Sequence, residues 1–130
     1  MGQKPQISID TDILIKVFRG DKRKKNFLDD NSGKIAVSII TCFERPSGLK
    51  IKQRIINFNQ KIKAYDVIHL YEAISQKAFK IFQKYIAVNN LAPADALAVS
   101  TAITTGLQFV TGNNKDFNFI KKLQLFEQNK

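Results

Sequence analysis

The stretch Gln6-Ile7-Ser8-Ile9-Asp10-Thr11-Asp12-Ile13-Leu14-Ile15-Lys16-Val17-Phe18 holds two periodicities back to back. Ile7 and Ile9 alternate with polar neighbours after Pro5, the pattern of a short strand over residues 6–10. Ile13, Leu14, Val17 and Phe18 then recur at helical spacing, and Gly20 stops the helix. An acid, Asp10, stands at the junction. A strand running straight into a helix is the building unit of a parallel α/β sheet.

The same alternation continues outward from this unit. Residues 21–25 are charged and read as a solvated connection, with Phe27 and Leu28 beginning a short second helix. Asn31-Ser32-Gly33 is a turn, and residues 34–39 read as a buried second strand. Residues 41–45 start the next helix, which Pro46 and Gly48 disturb. Residues 51–62 form a basic amphipathic helix with Ile55, Phe58 and Ile62 at helical spacing. Residues 67–70 are a short strand. Residues 71–85 are a helix with Ile74, Ala78, Phe79, Ile81, Phe82 and Tyr85 toward one side. Residues 94–105 are a helix opened by Pro93, a position helices accept. Residues 107–111 are a strand, Asn113 and Asn114 a turn, residues 117–122 one helical turn and residues 123–126 a short final strand. With no repeat, low-complexity tract or linker, the expectation is a single domain over residues 1–130.

The composition narrows the function. Hydrophobic residues make up 44% of the chain, enough for a packed core. No apolar run approaches the ~20 residues of a membrane span, and residues 1–5 carry no apolar signal core. A soluble, unexported, cytoplasmic protein is the expectation. One cysteine, Cys42, excludes an internal disulfide and a multi-cysteine zinc site, and one histidine, His69, excludes any mechanism needing two. Cys42, in an apolar stretch, reads as buried filler and His69 as a surface or strand-end residue. The net charge of +10 points to a polyanionic partner, nucleic acid above all, because lysine and arginine neutralise phosphates and release counterions.

Against this basic background, four of the 11 acidic residues stand where a parallel sheet presents its working edge, beyond the carboxyl ends of the strands. Asp10 ends the first strand, Glu44 follows the second, Asp95 lies in the first turn of the 94–105 helix, and Asp116 follows the 107–111 strand. Singly, each has a structural use: Asp10, Asp12 and Asp116 as caps, Asp95 as a complement to the helix dipole, Glu44 as an exposed helix residue. Together they repel one another. Two such charges ~4 Å apart at an effective dielectric of ~20 cost about 4 kcal/mol, more than caps of about 1 kcal/mol justify. A divalent cation offsets that cost, and oxygen donors without histidine or cysteine suit Mg²⁺ or Mn²⁺.

Four motifs in order carry a resemblance to a known family. Ile9-Asp10-Thr11-Asp12-Ile13-Leu14-Ile15 resembles the opening motif of PIN domains. Ser38-Ile39-Ile40-Thr41-Cys42-Phe43-Glu44, with Gly48 after the acid, is similar to their second. Pro93-Ala94-Asp95-Ala96-Leu97-Ala98-Val99-Ser100-Thr101-Ala102 resembles the third, and Val110-Thr111-Gly112-Asn113-Asn114-Lys115-Asp116-Phe117 the last. The compact length points to the VapC-type toxin branch. The resemblance implies an α/β three-layer sandwich, with a central parallel sheet of four to five strands and helices on both faces. It also implies an endoribonuclease dependent on Mg²⁺ or Mn²⁺, cutting phosphodiester bonds with metal-activated water, held silent by a cognate VapB-like antitoxin and commonly homodimeric. By motif position Asp10, Glu44 and Asp95 form the acidic core and Asp116 completes it. Asn113 matches a position where the family carries Asn or Asp. Thr11 and Asn113 are candidates to orient ligands or phosphate; Lys16, Arg19, Arg45 and Lys115 are candidates to hold the RNA backbone. Arg45 and Pro46 depart from the apolar residues usual after the second acid.

Asp10-Thr11-Asp12 is also similar to the first motif of haloacid-dehalogenase phosphatases, whose later lysine and acidic pair are missing here. A response-regulator receiver needs an acid at the end of the third strand, where residues 67–70 supply none. The remaining alternative is a PIN-like module that binds RNA or protein without cutting.

Overall fold

The computed structural model describes residues 4–44 and 52–126. Among these, β1 (Ile7–Ile9), β2 (Ile35–Ser38), β3 (Asp66–Ile68) and β4 (Gln108–Val110) form one all-parallel sheet in the order β3-β2-β1-β4. The connections carry α1 (Thr11–Phe18), α2 (Lys22–Asp30), α3 (Ile39–Phe43), α4 (Lys52–Ile62), α5 (Glu72–Asn89) and α6 (Pro93–Thr105), and a 3-10 turn, Asn114–Asp116, follows β4.

Strand side chains alternate between two cores. Ile7, Ile9, Ile35, Val37 and Val110 pack on one face with Ile13 and Leu14 of α1, Leu28 of α2, and Phe58 and Ile62 of α4. Phe109 points the other way, into a core with Ile81 of α5, Val99 and Ala102 of α6, Phe117 and Ile120. Covered on both faces, β1 and β2 are buried at every position, as parallel strands usually are. Helix α6 is buried through its middle, from Ala96 to Ala102 apart from Leu97. It is bound to α5 by the Ser100 hydroxyl donating to the Ile74 carbonyl at 2.6 Å. The three-layer α/β architecture is the one expected.

Several local expectations are corrected. The charged run after Gly20 is helix, not loop. Asp21 accepts from the Lys24 amide at 3.0 Å and caps α2, which turns Lys22, Arg23 and Lys25 to solvent and buries Leu28. Helix α3 starts at Ile39 rather than Thr41, because the Ser38 hydroxyl at the strand end accepts from the Ile40 amide, so Glu44 ends the helix as its C-cap. Ile55 and Phe79, expected to face inward, are 38% and 62% exposed. Helix α5 buries a narrower stripe, Ile74, Ala78 and Ile81, and runs on to Asn89, where Asn90 takes the left-handed conformation. The last helical turn precedes Phe117 instead of following it, and residues 123–126 contribute an isolated bridge, Leu125 to Phe109, rather than a fifth strand. Arg45, Pro46, Gly48 and Ile51 lie outside the described residues. Among the described residues no helix is long and apolar enough to cross a membrane.

Candidate active site

The strand order reverses at β1: the chain passes to β2 and β3 on one side, then returns to β4 on the other. At such a switch point the loops leaving adjacent strands diverge and open a crevice. Asp10 stands there. Its amide donates to the Val110 carbonyl of β4 at 2.8 Å. As N-cap of α1 it accepts from the Thr11 amide at 2.8 Å through Oδ1, and its Oδ2 accepts from the Thr111 hydroxyl at 2.9 Å. Only 8% of it is exposed. Burial, and after it the charge of Asp12, pushes its pKa up from an ordinary 3.8 to about 7, while the hydrogen bonds from Thr111 and Thr11 pull it back.

The other acids approach one another from separate elements. The Thr11 hydroxyl donates to Glu44 Oε1 at 3.0 Å, tying the end of α3 to the start of α1. Asp95 occupies the first turn of α6, half-buried. Burial raises its pKa, followed by the charges of Glu44, Asp116 and Asp12. Asp116 sits exposed in the 3-10 turn. Asp95 thus lies within the field of Glu44, Asp116 and Asp12, and Asp10 within that of Asp12, and no described cation forms an ion pair with Asp10, Glu44, Asp95 or Asp116. They share a field rather than a closed coordination shell, for among the described residues no three of the acids, Cys42 or His69 are grouped tightly enough to enclose one metal ion.

The supporting residues divide. Thr111, Asn113, Lys115 and Asp116 line a cleft of about 480 Å³ beside the acids, and the Asn113 amide donates to the Thr111 hydroxyl at 3.2 Å. Lys16 reaches the same loop, where a Cβ placed on Gly112 would fall 2.8 Å from its Nζ. Arg19 is exposed at the end of α1, with no side-chain bond to the acids.

Four contributors were not singled out from sequence. Thr111 follows β4 as Asp10 follows β1, so a polar residue at the end of a buried strand was the available signal. Asp12, read only as a cap, accepts instead from the Gly112 amide at 3.1 Å. Gly112 allows this close approach, since a Cβ there would meet Asp12 Oδ2 at 2.7 Å. Lys24 also lines the cleft, and nothing local marks it out within its basic run. Cys42, expected to be buried, is only half-buried against the core, with its thiol pKa raised by burial, and His69 is exposed just after β3, as expected.

The Thr111 hydroxyl lowers the proton affinity of Asp10, so Thr111→Val, which keeps the shape, is expected to move the acidic limb of the cleavage–pH profile to higher pH. It should also reduce activity about 10–100-fold at neutral pH. An unshifted limb would show that this hydroxyl does not tune Asp10.

A PIN domain family model matches residues 7–123. No curated protein matches the chain. Among solved structures, a toxin–antitoxin complex from Klebsiella pneumoniae superposes with a TM-score of 0.78 at 27% identity, covering 95% of this chain and 100% of that one. DNA-bound VapBC from Salmonella typhimurium gives 0.82 at 19% identity over 94% and 97% of the two chains. VapBC2 from Rickettsia felis, bound to a promoter DNA fragment, gives 0.80 at 19% over 98% and 100%. The latter two likenesses speak to fold alone. With the family model spanning all four strands and every one of the gathered acids, the chain belongs to the PIN domain family.

Proposed function

We propose that this protein is an endoribonuclease that uses Mg²⁺ or Mn²⁺ and acts as the toxin of a VapBC-type pair, silenced by a VapB-like antitoxin and assembling as a homodimer. One observation carries the chemistry: a buried carboxylate, Asp10, stands at the switch point of the sheet under the charge of Asp12, and Asp12 also acts on Asp95 together with Glu44 and Asp116, with no described ion pair to offset them. The antitoxin partner is supported by the likeness to toxin–antitoxin complexes.

The donor set fits a hard cation. It consists of carboxylate oxygens, the donors Mg²⁺ prefers, and that ion keeps several waters while taking one or two carboxylates directly. When bound, the ion supplies a water of lowered pKa and charge compensation for the scissile phosphate. Asp10 and Asp95 would hold it, with Glu44 and Asp116 reaching it directly or through water. The chain's own groups do the rest. The Thr11 amide and Thr111 hydroxyl fix the Asp10 carboxylate and favour its charged form. The Thr11 hydroxyl orients Glu44. Lys16, Lys24 and Lys115 face the RNA backbone, and Asn113 shapes the loop through its bond to Thr111.

Incubating the purified protein with a panel of structured RNAs tests this. Cleavage is expected with Mn²⁺ or Mg²⁺, none in EDTA, and full recovery on adding back the ion. The open spacing of the acids favours one second reading, a PIN-like module that binds RNA without cutting it. RNA binding that persists in EDTA, with no cleavage at any Mg²⁺ or Mn²⁺ level, would establish that reading and end the first.

A further inference from the structure

A second concave surface lies away from the acids. Five lysines, Lys77, Lys80, Lys84, Lys121 and Lys122, surround a groove of about 260 Å³, and no acidic side chain lines it. Ile103, on its wall, lies eight residues beyond Asp95 on α6, about 12 Å further along the helix. Lys77, Lys80 and Lys84 are spaced three and four residues apart, which puts them on one side of α5 as a ladder about 10 Å long. Lys121 and Lys122 come from the segment after the 3-10 turn. Solubility or the covering of apolar surface by lysine stems accounts for a ladder on one helix. It does not account for a second basic element converging on the same groove. Lys84 also keeps its ammonium over the Tyr85 ring, 5.4 Å from the centroid.

The chemistry of the lining selects the occupant. Lysine offers donors and no acceptor. Apart from the Tyr85 hydroxyl, the remaining lining side chains are the apolar Ile81, Ile103 and Ile120. A peptide laid here would leave each amide hydrogen it buries without a side-chain acceptor. A phosphodiester backbone presents acceptors alone and loses nothing. With no amide or carboxylate side chain to read base edges, contact is to the backbone and independent of sequence.

We propose that this groove is a second docking site, for the phosphate backbone of an RNA strand, outside the carboxylate crevice. The choice of RNA among polyanions rests on the nuclease reading above; the site itself does not. The test is binding of an unstructured RNA oligonucleotide in EDTA across a salt series, comparing the wild-type chain with the triple variant Lys80→Gln, Lys84→Gln, Lys121→Gln. A control of equal charge loss carries Lys52→Gln, Arg54→Gln, Lys63→Gln on exposed positions of and after α4. The groove variant is expected to bind about tenfold more weakly, with a salt slope shallower by about two, at ~0.7 per lost lysine on a single strand. The control should change less. Equal losses in both variants would overturn the site. So would loss of poly-glutamate binding with RNA binding intact, which would reassign the groove to an acidic peptide. A wild-type chain that never cuts RNA yet shows the groove-specific loss would sink the nuclease reading and leave the docking site standing.

Discussion

Asp10→Asn is expected to lose cleavage by on the order of a thousandfold and, in metal-free buffer at pH 8, to be more stable than the wild type. Both outcomes have one cause. Asp10 is 8% exposed, and its pKa is held near 7 by burial first and by Asp12 second. Between the ordinary carboxylate range and pH 7, the folded chain keeps a proton here that the unfolded chain has released. Stability therefore falls as pH rises through that window, and above it the folded state carries the full cost of the buried charge, on the order of 2–4 kcal/mol. The asparagine does not titrate. Its amide faces the Thr111 hydroxyl with a donor instead of an acceptor, which takes back about 1 kcal/mol. Thermal unfolding in EDTA at pH 5 and pH 8 reads the difference. The gap between variant and wild type should widen at pH 8 and close again when Mn²⁺ is added, since the ion stabilises only the chain that binds it. A gap independent of pH, or a variant that cuts RNA at the wild-type rate, would remove Asp10 from the assigned role. Asp95→Asn should likewise abolish cleavage, because its carboxyl is perturbed in the same way, by burial first and then by the charges of Glu44, Asp116 and Asp12.

The second large effect belongs to the core. Phe109→Ala is expected to cost about 3–5 kcal/mol, a large share of the 5–15 kcal/mol that stabilises a typical domain. Phe109 is fully buried, and its ring meets Phe117 edge-on at 5.2 Å. Its amide donates to Gln124 and its carbonyl accepts from Phe126, so the backbone there also holds the last described segment against β4. Phe117 closes the turn bearing Asp116, so activity should fall before global unfolding is reached. Urea titration checks this: the midpoint should drop with an unchanged slope. A loss below about 1 kcal/mol would mean that the site collapses onto the cavity more readily than its packing implies.

The strand-acid-helix unit at residues 6–18 was legible because period, cap and stop are local, written within a dozen neighbouring residues. So were the α/β class and the positions of Asp10 at a strand end and of Asp95 and Asp116 in first turns, whereas Glu44 proved to end α3. The start of α3 was misread because one hydroxyl, Ser38, decided it. Phe79 was misplaced because helical spacing tells which residues share a side, not how wide a stripe the neighbouring helix covers.

Local pattern, then, determined the kinds of elements and the acids they carry. Tertiary structure alone decided the order β3-β2-β1-β4, which sets Thr111 against Asp10 across 101 positions and Gly112 against Asp12 across 100. It also turned Lys24 toward the cleft and brought Lys121 and Lys122 to the ladder on α5. The physical reason is that strand order and helix placement minimise exposed apolar area over both faces of the sheet at once. That sum runs over the whole chain, and no window of neighbouring residues contains it.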